Sequence, residues 1–214
     1  MTIEQVRQTI RSQADEKRRL SNQKRGISDS IGTPLGKVRP LAKKLGHRPD
    51  MARQLWSGGV YEERLLAMMI IKPDDLSPDE IENWVTEADP LLSDELAFRV
   101  LKTRELDLDH WKGRSDKLER FAWMHQAATI KQTGPTSDED LEIIRRDMKQ
   151  APKLIQEGMN RLLVETGLAY DELLPKVLEI AEEIGPWDDR VVHPGCVGTY
   201  APEWIESVKK KSVK

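Results

Sequence analysis

The sequence predicts an all-α protein, a solenoid of antiparallel helix pairs, each pair stacked on the next. Three observations predict it. Apolar residues recur at helical spacing along most of the chain, and no segment reads as a convincing strand. Helix starts and stops follow one another at short intervals, so successive helices are expected to pack as antiparallel neighbours. The stretch 52–72, ARQLWSGGVYEERLLAMMIIK, reads as a short helix, a Gly58-Gly59 turn and a second helix. That second helix carries Leu65, Leu66, Met68, Met69, Ile70 and Ile71, apolar nearly all round, and must be buried between neighbours. The pairs keep no strict period, so the repeat is irregular, and a globular helical bundle is the alternative architecture.

The first helix is expected over Ile3 to Gln23, with Val6, Ile10 and Leu20 as a sparse apolar stripe. The stretch KRGISDSIGTP, Lys24 to Pro34, reads as a loop. Leu35 to Leu45 places Val38, Leu41, Ala42 and Leu45 on one face and Lys37, Arg39, Lys43 and Lys44 outside it, with Pro40 as a possible kink. In the 52–72 pair the glycines end the first helix by accepting positive φ. Glu62 and Glu63 sit in the next first turn, where the helix dipole favours negative charge. Ser77-Pro78-Asp79-Glu80 starts a helix with Ile81, Trp84 and Val85 inward, and Asp89-Pro90 breaks it. Ser93 starts Asp94 to Thr103. Ser115 caps Lys117 to Gln132, Ser137 opens a helix to Lys149, and Pro152 at the first helical position opens Lys153 to Thr166. Tyr170 to Ile184 is the last long helix. Gly185 to Tyr200 reads as irregular, and Pro202 opens a short final helix ending in Lys209 to Lys211. The expectation is one domain over residues 1–214, with 185–214 as an irregular tail and short helix.

The chain has 214 residues, 38% hydrophobic and 33% charged, with six tryptophans among its few aromatics. A single cysteine, Cys196, excludes an internal disulfide and fits a reducing compartment. No apolar run approaches the roughly 20 residues of a membrane span, and the N-terminus has no signal-peptide core. The expected location is the cytoplasm, with no membrane partner, and a monomer is favoured. Net charge is −3, but it is unevenly spread. Met1 to Trp56 holds 13 Lys and Arg against 5 Asp and Glu, whereas Ser57 to Gln150 holds 13 against 21. A basic N-terminal quarter on an acidic body can hold a polyanion on one face, because local potential matters more than total charge. A solvated basic helix balanced by acidic neighbours accounts for the same numbers.

Spacing alone reveals no phosphate-binding glycine loop, no paired His/Cys metal pattern and no nucleophile–base order. His47, His110, His125 and His193 are scattered, and His193 with Cys196 supplies only two ligands. Neither a metal nor an organic cofactor is expected.

Four pieces of sequence together resemble a known family. They are Gly32-Thr33-Pro34-Leu35-Gly36-Lys37; Leu55-Trp56 followed by Tyr61 to Ala67; TEADPLLSDELA from Thr86 to Ala97; and Glu119-Arg120-Phe121-Ala122. In this order they resemble the DNA alkylation repair enzymes, AlkD-like DNA glycosylases built from HEAT-like helical repeats. The resemblance spans about Ile31 to Leu163, and the tail PGCVGTYAPEWI is similar to the ending of a subset of such proteins.

The resemblance implies a HEAT-like superhelix and a partner: double-stranded DNA carrying alkylated bases. It implies hydrolysis of the N-glycosidic bond of cationic N3- or N7-alkylpurines. Asp94 falls at the catalytic aspartate, Arg120 at the arginine facing the DNA backbone, and Thr33 and Lys37 at the turn that touches phosphate. Arg39 lies beside them on the same basic helix. A cationic base already leaves readily, so a carboxylate stabilising the oxocarbenium-like sugar is the main requirement. The family is thought to work without a base-flipping pocket. Two of its groove tryptophans are replaced here, one by Asp89 or Pro90 and one by Arg161, which could instead pair with phosphate. Trp84 and Trp111 are the candidates to supply an aromatic from elsewhere. A non-catalytic module that binds nucleic acid or a protein in the same groove is the alternative function.

Overall fold

The structure, a computed structural model, describes residues 1–187 and 199–212. Among these residues every regular element is helical. The chain divides into two compact units, Met1–Arg104 and Glu105–Lys214.

The first unit contains α1 (Ile3–Ser12), α2 (Glu16–Lys24), α3 (Leu35–Leu45), α4 (Pro49–Ser57), α5 (Tyr61–Met69), α6 (Pro78–Glu87) and α7 (Pro90–Glu95). A 3-10 turn, Pro73–Asp75, precedes α6, and α7 runs on into one π-helical turn, Leu96–Val100. Where one long helix was expected at the N-terminus there are two. Asp15 accepts from the Arg18 backbone N–H at 2.7 Å and so caps a separate α2. The sparse apolar stripe is explained by this break: Val6 and Ile10 are buried, whereas Leu20 on α2 is exposed.

Helix α5 is buried much as its composition requires, except that Met69, at its end, is half-exposed. Leu65, Leu66, Ala67 and Met68 are in the core with Ile70 and Ile71 just beyond the helix end; each fully buried Leu or Ile contributes roughly 1.5–3 kcal/mol. The preceding turn uses its two glycines differently. Gly59 has φ +75°, the expected left-handed conformation. Gly58 has φ −67° and is required for space instead, since a Cβ there would lie 2.5 Å from Glu63 Oε2. The capping box expected at Ser77 and Glu80 is present, with bonds of 3.1 and 2.9 Å.

The second unit contains α8 (Asp116–Thr133), α9 (Asp138–Asp147), α10 (Lys153–Ala169), α11 (Leu174–Ile184) and α12 (Ala201–Ser212). Ser115 and Ser137 cap α8 and α9 as expected, while Pro152 occupies the N-cap of α10 and not its first turn. Helices α8 and α10 approach closely at Gly158, where a Cβ would sit 2.8 Å from the Arg120 carbonyl and 2.9 Å from Trp123 Cβ. His193 and Cys196 lie outside the described residues.

Candidate nucleic-acid interface

The loop leading into α3 is fixed from below by a buried carboxylate. Glu62, 1% exposed, accepts from the Ser30 hydroxyl at 2.5 Å and the Gly32 N–H at 2.9 Å through Oε1, and from the Ile31 N–H at 3.0 Å through Oε2. Gly32 has φ +88°, and a Cβ there would fall 2.2 Å from the Asp15 carbonyl. No other residue fits that turn. Glu63 is equally buried and accepts from Arg7 Nε at 3.0 Å, tying α5 to α1. The two glutamates are therefore long-range anchors, a role beyond the dipole partnership expected of them. Their neighbour Tyr61 is half-buried, and burial first, then the nearby Asp89 carboxylate, pushes its hydroxyl up to about 12.

This turn decides where Thr33 goes. Its side chain is buried and its hydroxyl donates to the Ile10 carbonyl at 2.7 Å. The side chain serves the loop and is not presented to a phosphate, against the expectation for it. Two residues on, α3 emerges with its apolar face, Val38, Leu41 and Ala42, in the core. Lys37, Arg39, Lys43 and Lys44 are exposed, and none of them forms an ion pair among the described residues. The helix contains no acidic residue at all. Lys37 and Lys44 share one flank and Arg39 and Lys43, four residues apart, share the other; such like-charge pairs weaken a helix in isolation.

Asp94 lies in the last turn of α7, and not at a helix start. Asp89 is the N-cap, accepting from the Leu91 and Leu92 N–H groups at 2.8 and 3.1 Å, with Pro90 at the first position. Ser93 is buried inside the helix and caps nothing. The carboxylate of Asp94 is thus five residues past the cap, half-buried, and has no dipole to serve. The π turn begins two residues on, at Leu96, a feature common at functional sites.

In the second unit Arg120 is 4% exposed, and its Nε donates to Glu157 Oε2 at 3.2 Å across the α8–α10 contact. That bond joins residues 37 apart in the chain. Arg161 pairs with Glu165 at 2.8 Å and lies 5.3 Å over the Trp204 ring of α12. The two tryptophans expected as substitutes are both in the core. Trp84 stacks on Trp56 at 4.0 Å with the rings parallel to within 2°, and Trp111 packs edge-on against Phe121 at 5.6 Å. Only Trp187 and Trp204 are partly exposed; Trp204 was not among the expected candidates.

The described residues form an all-helical protein whose helix α3 leaves a row of cations open to solvent. A family model described as DNA alkylation repair enzyme matches residues 6–204, and the chain belongs to that family. One solved structure matches with a TM-score of 0.85 at 20% identity, covering 99% of this chain and 95% of that one. It is described as "a new family of proteins related to the HEAT-like repeat DNA glycosylases with affinity for branched DNA structures". At that identity the likeness establishes the HEAT-like fold. No curated protein matches the chain. Among the described residues no cluster of three metal-ligating side chains occurs, and no helix is long and apolar enough to cross a membrane.

Proposed function

We propose that the protein binds DNA through the sugar–phosphate backbone, with α3 as the main contact. One observation carries the reading: four cations on an acid-free helix stand exposed and unneutralised. A polyanion would relieve their mutual repulsion and release counterions. Membership of a DNA alkylation repair family supports the choice of polyanion, as does the affinity for branched DNA ascribed to the structural neighbour. Lys37, Arg39, Lys43 and Lys44 would carry the phosphate contacts. Arg161, part-exposed beside Trp204, would be an additional contact in the second unit.

Excision of cationic alkylpurines is the second reading, favoured by Asp94. That carboxylate is half-buried and caps no helix, and the motif resemblance implies that it stands at the family's catalytic aspartate. In this reading it stabilises the oxocarbenium-like sugar and orients water, and no cofactor is involved.

The test combines binding and chemistry. Duplex DNA affinity is measured against salt for the wild type and for Lys37→Ala/Lys43→Ala/Lys44→Ala. The reading expects a steep salt slope that falls by about 0.9 per lost phosphate contact. A shallow slope, or one unchanged in the triple variant, would sink it. Release of 7-methylguanine and 3-methyladenine, wild type beside Asp94→Asn, decides the second reading: release abolished by the substitution supports it, and no release from the wild type refutes it.

A further inference from the structure

The first unit holds a depression of about 390 Å³, open on one side, between α3, α5 and the π turn after α7. Its size lies within the range of small-ligand sites. The floor is apolar and soft: Leu65 and Met68 are buried with only their edges showing, and Met69 is half-exposed. The rim is cationic. Arg39 stands on one side and Lys72 on another, and neither forms an ion pair among the described residues. The only acid on the wall, Glu95, is already paired with Arg99 on the next turn. The local excess is therefore positive and sits above an apolar floor.

We infer that this depression seats a single unpaired nucleotide of a DNA strand, its base against Met68 and Met69 and its phosphates on Arg39 and Lys72. The inference rests on the DNA-binding reading above and goes beyond it, since the family resemblance implies no base pocket. The chemistry fits each half of a nucleotide. A nucleobase is a flat, polarisable surface with polar edges, and thioethers pack well on such faces. Its flanking phosphates need cations a few ångströms away; the rim supplies Arg39, in no ion pair among the described residues, and Lys72, whose charge is shared only at longer range with Asp75. Arg39 also belongs to the backbone-binding face of α3, so a strand lying on that helix would bring its nucleotides past the depression. A base still paired in a duplex must first be unstacked and unpaired, whereas a bulged or mismatched one avoids that cost. The preferred ligand is therefore DNA with an unpaired nucleotide.

The experiment compares two duplexes of equal length, one fully paired and one with a single bulged nucleotide. The wild type should bind the bulged duplex about tenfold more tightly, the ratio one gained stacking contact supplies. Met69→Gln keeps the side-chain length but makes the floor polar, and Lys72→Ala removes one anion seat without touching the core. Both should bring the two affinities together. Met69→Gln should leave the paired-duplex affinity unchanged. Equal affinity of the wild type for both duplexes would overturn the inference while leaving the DNA-binding reading intact. A preference that survives in both variants would overturn it as well. Binding of neither duplex would mean that the broader reading has failed. A free nucleoside monophosphate that binds with the same Met69→Gln sensitivity, without a bulge preference, would reassign the depression to a mononucleotide and refute the strand.

Discussion

The cations of α3 and those of the second unit are the same residue types used in opposite ways. In the second unit Arg145 reaches Glu183 at 3.0 Å and Glu179 at 3.5 Å, Lys176 reaches Asp138 at 2.8 Å, and Arg120 reaches Glu157 at 3.2 Å. Each of these charges is answered from a different helix. On α3 four charges are answered by nothing in the described structure. The contrast teaches that a count of basic residues does not say which of them are free to meet a partner; their pairing does. It also separates charges that hold the fold from charges available to a partner, and substitutions should divide along the same line.

The largest effect is expected at a charge that holds the fold. Glu62→Ala would leave the Ile31 N–H and the Ser30 hydroxyl without their buried acceptor, and the Gly32 N–H with only its 3.1 Å bond to Ser30 Oγ. A loss of about 3 kcal/mol or more is expected from urea unfolding, because each stranded donor costs its desolvation. Glu62→Gln, which keeps one acceptor oxygen, should lose less. If Glu62→Ala unfolds at the wild-type midpoint, the carboxylate is not the anchor of the α3 entry loop.

A smaller and sharper test takes one charge from each region. Lys43→Ala and Arg145→Ala each remove a single positive charge. The first should lower the salt slope of duplex binding by about 0.9; the second should leave the slope where it was, its charge being already neutralised by Glu179 and Glu183. Equal effects from both would mean that DNA responds to net charge alone, and the distinction between answered and unanswered cations would fall.

Much of the fold was legible because helix grammar is local. Ser77, Ser115 and Ser137 mark helix starts in the structure as they do in the chain, and the apolar run of α5 is buried as its pattern demands except at Met69. What was not legible depended on partners distant in sequence. Glu62 and Ser30 are 32 residues apart and Arg7 and Glu63 are 56 apart, so the first turn of α5 read as a dipole effect. Those same bonds explain the motif pieces at Gly32-Thr33-Pro34 and Glu62-Glu63: the first turns sharply and the second holds the turn. The start of α7 was misplaced because Ser93 and Asp89 are both competent caps, and Pro90 at the first helical position decides between them. For the site, the basic positions were legible and their availability was not. Thr33 and Arg120 read as ligands of phosphate, yet the fold buries both.

The weakest expected effect lies at an answered charge on the surface of the first unit. Arg53 donates from Nε to Glu80 Oε1 at 2.5 Å, and Glu80 also accepts from the Ser77 N–H at 2.9 Å. The Arg53 hydrogen bond, with the Ser77 N–H second, holds the Glu80 carboxyl below its ordinary value of 4.5. A carboxylate whose folded value is depressed contributes stability above its unfolded value and loses it as pH falls through the folded one. The contribution should therefore be complete at neutral pH and fade from about pH 4.5 downward. Both side chains are about a third exposed, so solvent screens the pair and the contribution should stay below about 1 kcal/mol. Thermal unfolding of the wild type and Glu80→Gln at pH 7 and pH 3 measures it. The gap in midpoint between the two proteins should be small at pH 7 and smaller at pH 3. A gap that grows on acidification would reverse the sign and show that Arg53 stabilises the α6 cap by some route other than the ionised carboxylate.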